Sequence, residues 1–234
     1  MGEQTKTKIT PCLSENIAHM EKLFSVCDDI KKKQMNLGKN GDVPCYLTFI
    51  EVSVDMGTSA LSEVLKYLRT IEKEEIYDVL SQNALGISDA TFFSTIEEAA
   101  DGLLTGETIL FVDGFAQAVK IPDNGYPRMS LSEADSEKVI RGSNEGFSDS
   151  IKQNAALIRK RVRSPKVKVK QLKTGIRSNT NVYLVYMDDL VYPGLLKEIE
   201  RRMDGFEIDG VLDSGVIEQL TEEKWYSPFP QFQT

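Results

Sequence analysis

Two runs of strand-forming residues on either side of an Asp-Gly pair constrain this chain more than any other feature. Thr108-Ile-Leu-Phe-Val112 and Phe115-Ala-Gln-Ala-Val-Lys-Ile121 flank Asp113-Gly114. β-Branched and aromatic residues favour extended backbone, and Asp-Gly is a favoured closure for a two-residue hairpin. The spacing predicts a tight β-hairpin. Cys45-Tyr-Leu-Thr-Phe-Ile-Glu-Val-Ser-Val54 has the same composition and reads as a further, buried strand. The residues around these strands have helical spacing. Leu13, Ile17, Met20, Phe24, Cys27 and Ile30 form one stripe, and Leu61, Val64, Leu65 and Leu68 another, with a short helix expected over 74–83. Ser94-Thr-Ile-Glu-Glu98 has the form of a capping box, Ile96, Ala99, Ala100 and Leu103 follow as a buried face, and Gly106 is a fitting stop. Residues 13–121 are thus expected to form a small sheet with helices against it, after a disordered N-terminus at 1–12.

Pro122-Asp-Asn-Gly-Tyr-Pro127 interrupts the pattern, and residues 122–146 read as a linker or hinge. A second subdomain is expected over 147–226. It opens with a helix whose stripe is Phe147, Ile151, Ala155, Ile158 and Val162, ended by Ser164-Pro165. Lys166-Val-Lys-Val-Lys170 alternates charged and apolar, and Thr180-Asn-Val-Tyr-Leu-Val-Tyr-Met187 reads as a buried strand. Pro193 suits a helix start, with Leu195, Leu196, Ile199 and Met203 inward. Residues 206–211 are expected to return as a strand, completing a right-handed β-α-β unit. A last helix follows Asp213-Ser-Gly215, and 227–234 is a tail. The fold class is therefore α/β in the mixed α+β sense, with two small subdomains, each a mixed β-sheet with packed helices, joined by a linker.

The net charge of −8 gives no general reason to expect nucleic acid as a partner. The charge is unevenly spread. Residues 151–177 hold ten basic side chains and no acidic ones, leaving −18 for the rest of the chain. Lys152, Arg159, Arg163, Lys166 and Lys168 are the expected interaction surface, facing anionic lipid, an acidic protein neighbour or a second copy. Aromatics at base-stacking spacing are missing there, which makes nucleic acid the weakest partner class. Cys12, Cys27 and Cys45 have no paired spacing, which suits a reducing compartment. No apolar run is long enough to span a membrane.

Enzymatic motifs are missing: no phosphate loop, nucleophile elbow or zinc-protease helix occurs, and the one histidine, His19, sits among Glu15, Asn16 and Glu21. No catalytic residue, cofactor or metal site is expected. The junction Val139-Ile-Arg-Gly-Ser-Asn-Glu-Gly-Phe147 reads either as a structural hinge or as the lining of a cleft between the subdomains. Arg141, Asn144 and Glu145 from this junction are candidate ligand residues. Asp209, Asp213 and Ser214 join them, because they follow the end of an expected parallel strand, where open α/β sheets bind ligands. Arg141 would clamp an anion or carboxylate. The bland alternative for Asp209 and Asp213 is a turn and a helix cap.

Val139–Phe147, Asn154-Ala-Ala-Leu-Ile-Arg-Lys-Arg-Val-Arg163, Ile208-Asp-Gly-Val-Leu-Asp-Ser-Gly215 and Ser227-Pro-Phe-Pro-Gln231 together carry a resemblance to the soluble amino-terminal domain of the A subunit of bacterial spore germinant receptors, the GerA family. Where the family usually has Pro then Arg after the Arg-Gly pair, this chain has Ser143 and Asn144. The resemblance implies a non-enzymatic receptor part that senses or relays small-molecule germinants such as amino acids, sugars or ions. It implies B and C subunits as partners, a membrane domain beyond this chain, and a place on the cytoplasmic (core) side of the spore inner membrane. A structural assembly module that oligomerises the receptor without binding nutrient is the alternative.

Overall fold

The computed structural model describes residues 6–53, 60–85, 91–122, 146–205, 208–211 and 213–221. The chain forms two compact units that divide at Val167/Lys168. The first is built on a five-stranded sheet in the order β1-β2-β4-β5-β3, antiparallel at every pairing. Its strands are β1 (Ile30–Leu37), β2 (Val43–Ile50), β3 (Thr91–Phe93), β4 (Thr108–Val112) and β5 (Ala118–Ile121). The helices α1 (Leu13–Leu23) and α4 (Ile96–Leu104) share one core cluster, and α2 (Ala60–Leu68) and α3 (Lys73–Ser81) share the other.

The period of two along the strands explains the three layers. On β2, Tyr46 and Ile50 enter the α1/α4 cluster, and Cys45, Leu47 and Phe49 enter the α2/α3 cluster. On β4, Ile109 and Phe111 divide from Leu110 and Val112 in the same way. Covered on both faces, β2 and β4 read in sequence as nearly continuous apolar runs. The edge strand β1 carries Lys31, Lys32 and Lys33 instead, charges that discourage pairing with another chain.

Five expectations are corrected here. The helical stripe over 13–30 ends early: α1 stops at Leu23, Val26 takes φ +56°, and Ile30 begins β1. Phe24, Cys27 and Ile30 do point into the same core as Leu13 and Met20. Their inward direction was legible, but Ile30 gets there by pairing with Ile50 rather than by helical rotation. The Asp113-Gly114 hairpin is not a two-residue turn, since Phe111 pairs with Ala118 and residues 113–117 all lie in the connection. Asp113 instead accepts the Leu13 N–H at 3.2 Å, and the Gly114 N–H donates to the Pro11 carbonyl at 2.8 Å, which anchors the start of α1. Residues 6–12 are not disordered. Lys8 bridges Thr95, the Ile9 N–H donates to the Ser94 carbonyl at 3.0 Å, and Ile9 is buried.

The last two corrections concern the expected second subdomain. There β6 (Val167–Thr174) and β7 (Thr180–Met187) form a two-stranded sheet, followed by α6 (Pro193–Asp204) and α7 (Ser214–Thr221). Among the described residues of the expected 206–211 strand, 208–211 are not extended into a sheet, so they complete no β-α-β unit. The backbone groups of this stretch are taken up by the β6–β7 connection, where Ile176 N–H bonds the Ile208 carbonyl and Arg177 and Ser178 N–H bond the Asp209 carbonyl. The helix α5 (Ile151–Arg161), expected in the second subdomain, belongs with the first unit. Ser150 caps it by accepting the Gln153 N–H. The 122–146 linker lies almost wholly outside the described residues.

Candidate functional site

The second unit contains a cavity of about 450 Å³. Leu172 of β6 and Val182, Tyr183 and Leu184 of β7 line it from the hairpin. The α6 stripe of Leu195, Ile199 and Met203 faces them, and Ile217 of α7 adds a further apolar wall. The sequence predicted that stripe as core, yet only Met203 of α6 is buried, and Leu195 is 53% exposed. The stripe therefore borders open space.

Polar groups stand among the apolar lining: Glu198 and Arg202 of α6, and Ser214 and Glu218 of α7. Glu198 accepts hydrogen bonds from Arg201 and Arg202, at 2.6 and 2.8 Å for the shortest contacts, and these hold its carboxyl down at about 2. Lys170 of β6 reaches Glu200 of α6 at 2.7 Å, and this hydrogen bond, outweighing the cost of burial, raises the Lys170 ammonium. The pair ties hairpin to helix. An apolar surface with charged groups among its lining suits an apolar side chain or a small amphiphile rather than a phosphate. Among the described residues no His, Cys, Asp and Glu group could hold a metal ion.

Of the expected ligand residues, Ser214 lines this cavity. Asp213 does not: its Oδ1 accepts the Val216 N–H at 3.0 Å, the cap role. Asp209 sits in the turn beside Arg177, its carboxylate 3.5 Å from the guanidinium with both groups well exposed. Arg141, Asn144 and Glu145 lie outside the described residues. Sequence reading missed the cavity wall on β6 and β7, because a half-filled core and a filled one share the same alternation.

The basic surface divides. Arg163 and Lys166 are exposed, and Lys152 is exposed but paired with Glu51 at 2.7 Å. Arg159 and Lys168 are buried, so neither presents its charge to a partner. Arg159 is held by both Asp29 oxygens. The helix turns Arg159 inward with Ala155 and Ala156, a placement that a count of charges along the sequence does not reveal. The buried Cys45 thiol is pushed up to about 12 by loss of solvent, which leaves it an unreactive core group.

Comparison with known proteins gives a consistent result. The family model described as "Bacillus/Clostridium GerA spore germination protein" matches residues 18–234. The "Uncharacterized membrane protein YfkQ" of Bacillus subtilis (strain 168) is 35% identical over 227 residues, covering 96% of this chain and 44% of that protein. "Spore germination protein A1" of the same organism is 29% identical over 232 residues, covering 99% and 46%. The chain thus spans less than half the length of these relatives. In three dimensions it matches the N-terminal domain of the A subunit of the Bacillus megaterium spore germinant receptor GerK3, with a TM-score of 0.71, 23% identity, and coverage of 97% of this chain and 84% of that one. The mixed α/β architecture is the same fold. With the family model spanning both units, the chain belongs to the Bacillus/Clostridium GerA spore germination protein family.

Proposed function

We propose that the chain is the part of a germinant receptor A subunit that lies outside the membrane, and that its second unit receives or relays the small-molecule signal that triggers germination. The observation that carries this reading is the contrast between the units. The first is filled on both sides of its sheet, whereas the second holds an apolar cavity of about 450 Å³. A ligand that fits one arrangement of such a unit better than another shifts the balance between them by its difference in affinity for the two. In this reading the B and C subunits are the partners, the membrane is engaged through the part of the relatives' length that this chain does not cover, and the domain lies on the cytoplasmic (core) side of the spore inner membrane. The family is not a known enzyme family, and this reading assigns the chain no catalysis.

A ¹⁵N NMR titration with amino acids, sugars and salts tests the sensing role. Saturable shifts at Leu184, Ile199 and Ile217 are expected if the second unit binds germinant, and the responding compound gives the class. Shifts nowhere on the chain would place recognition on another subunit and leave this one as the relay. The alternative, an assembly module, draws on the exposed Arg163 and Lys166. A charged assembly face weakens as salt rises, so self-association that is missing, or indifferent to salt, removes it.

A further inference from the structure

The first unit ends on one side in a long open strand. β1 is the outermost strand of its sheet, and no described strand lies beyond it. Edge strands are usually kept short or broken by a bulge or a proline. β1 has eight residues, no proline, and an unbroken register with β2 from Ile30↔Ile50 to Leu37↔Val43. The direction of its backbone groups follows from the ladder. In an antiparallel pair, bonded and non-bonded residue pairs alternate. The Glu51 N–H donates to the Asp29 carbonyl at 3.0 Å, which makes Asp29 and Glu51 a bonded pair. Lys31, Lys33 and Met35 therefore bond β2, and Ile30, Lys32, Gln34 and Asn36 turn their N–H and C=O groups outward. The Ile30 N–H agrees, since it turns away from β2 to the Cys27 carbonyl at 3.1 Å. Lys32, Gln34 and Asn36 are exposed. Their backbone groups are set for an incoming strand.

The side chains say which strand. β1 carries three cations and no acidic residue. Lys31 and Lys33 share the α2/α3 face with Met35, and Lys32 shares the α1/α4 face with Ile30. Arg69 of α2 is exposed and reaches the Met35 sulfur at 3.7 Å, which adds a cation to the α2/α3 face. Lys31 is shared with Glu51 at 3.4 Å, and the Lys32 ammonium donates to the Phe24 carbonyl at 3.3 Å. On the α1/α4 face the charge of Glu21 is felt by Tyr46, the residue paired with Gln34, so that face is the less basic one. Like charges facing each other across a strand pair repel, and opposite charges attract. A second copy of β1 aligned on its lysines is thus disfavoured, and a strand with carboxylates at alternate positions is favoured.

We propose that the β1 edge takes up an extended acidic segment of another protein as an added strand of this sheet. Lys32, Gln34 and Asn36 supply the backbone hydrogen bonds, the source of affinity in strand addition. Lys31, Lys33 and Arg69 select the acidic side chains. This does not depend on the receptor reading, because the edge belongs to the first unit and the cavity to the second.

The probe is a blocked peptide of β1's length that alternates Glu and Thr, added to the ¹⁵N-labelled 234-residue chain. Saturable shifts along β1 are expected. Amide exchange at Lys32, Gln34 and Asn36 should slow by about tenfold or more at saturation, while Lys31 and Lys33, already bonded to β2, change little. A peptide alternating Lys and Thr should not bind. Gln34→Pro removes an outward N–H and no bond to β2, so it should leave the β2 amides protected and abolish binding. Lys33→Glu should weaken the Glu peptide several-fold and admit the Lys peptide. The proposal is overturned if the Glu peptide does not bind saturably. Binding that leaves the exchange of Lys32, Gln34 and Asn36 unchanged would reduce it to adsorption by charge. Phosphatidylserine vesicles that bind at β1 with these amides still fast, where the peptide does not, would overturn it in favour of a lipid surface.

Discussion

Arg159 is a cation inside the protein, 0% exposed, and Asp29 beside it is 4% exposed. Taking both from water is costly, and removing one partner strands the other. Burial alone would lower the Arg159 guanidinium, and the hydrogen bonds and charge of Asp29 reverse that, so it stays charged. Arg159→Met is expected to cost about 3–5 kcal/mol by leaving Asp29 unpaired, and Asp29→Leu in the same chain should recover most of it; urea midpoints of the four proteins measure both. The Lys152–Glu51 pair is a weaker case. Burial pushes the Glu51 carboxyl up, but bonds and charges from Lys152 and Lys31 outweigh it and leave it below the ordinary value. A depressed carboxyl contributes stability that is complete above its unfolded pKa of ~4.3 and is lost as pH falls through the folded one. Lys152→Met should therefore cost up to about 1 kcal/mol at neutral pH, and the gap to wild type should close in acid. Comparing denaturation midpoints across pH checks the sign.

Among the elements, the change from helix to strand between Leu23 and Ile30 is the decisive local event. Val26 sits in the left-handed region, which a β-branched residue adopts only under strain, and its side chain is 45% exposed. Glycine takes that conformation without strain. Val26→Gly is expected to be stabilising by up to about 1 kcal/mol despite its greater unfolded freedom, readable as a rise in thermal midpoint. The α4 boundaries, by contrast, were legible in the sequence. Thr95 accepts the Glu98 N–H and Gly106 follows at φ +91°, because caps depend on neighbours in the chain. The Asp113-Gly114 turn was only half legible, since its extra residues serve contacts with Pro11, Leu13 and Tyr77 that no local pattern encodes.

For the whole molecule, the contrast in filling between the units should appear as a contrast in local stability. Opening free energies follow buried apolar contacts. Hydrogen–deuterium exchange is expected to be fast over β7 and α6 and slow over β2 and β4, whose residues are nearly all buried on both faces. Equal protection of the two units would show that something fills the cavity fully. Either result bears on how a signal passes, because a unit that opens easily is the one a ligand can bias.

The sequence by itself determined what depends on neighbours along the chain. It specified the mixed α/β class, the strands β2 and β4, the helix stripes, and the caps at Thr95 and Asp213. Only the tertiary structure decided what depends on residues distant in sequence. It turned Arg159 from a surface charge into the buried partner of Asp29, 130 residues away, and placed α5 with the first unit. It also left the α6 stripe facing a cavity rather than a core. The physical reason is that periodicity fixes which side of an element is apolar, but not whether another element arrives to cover it.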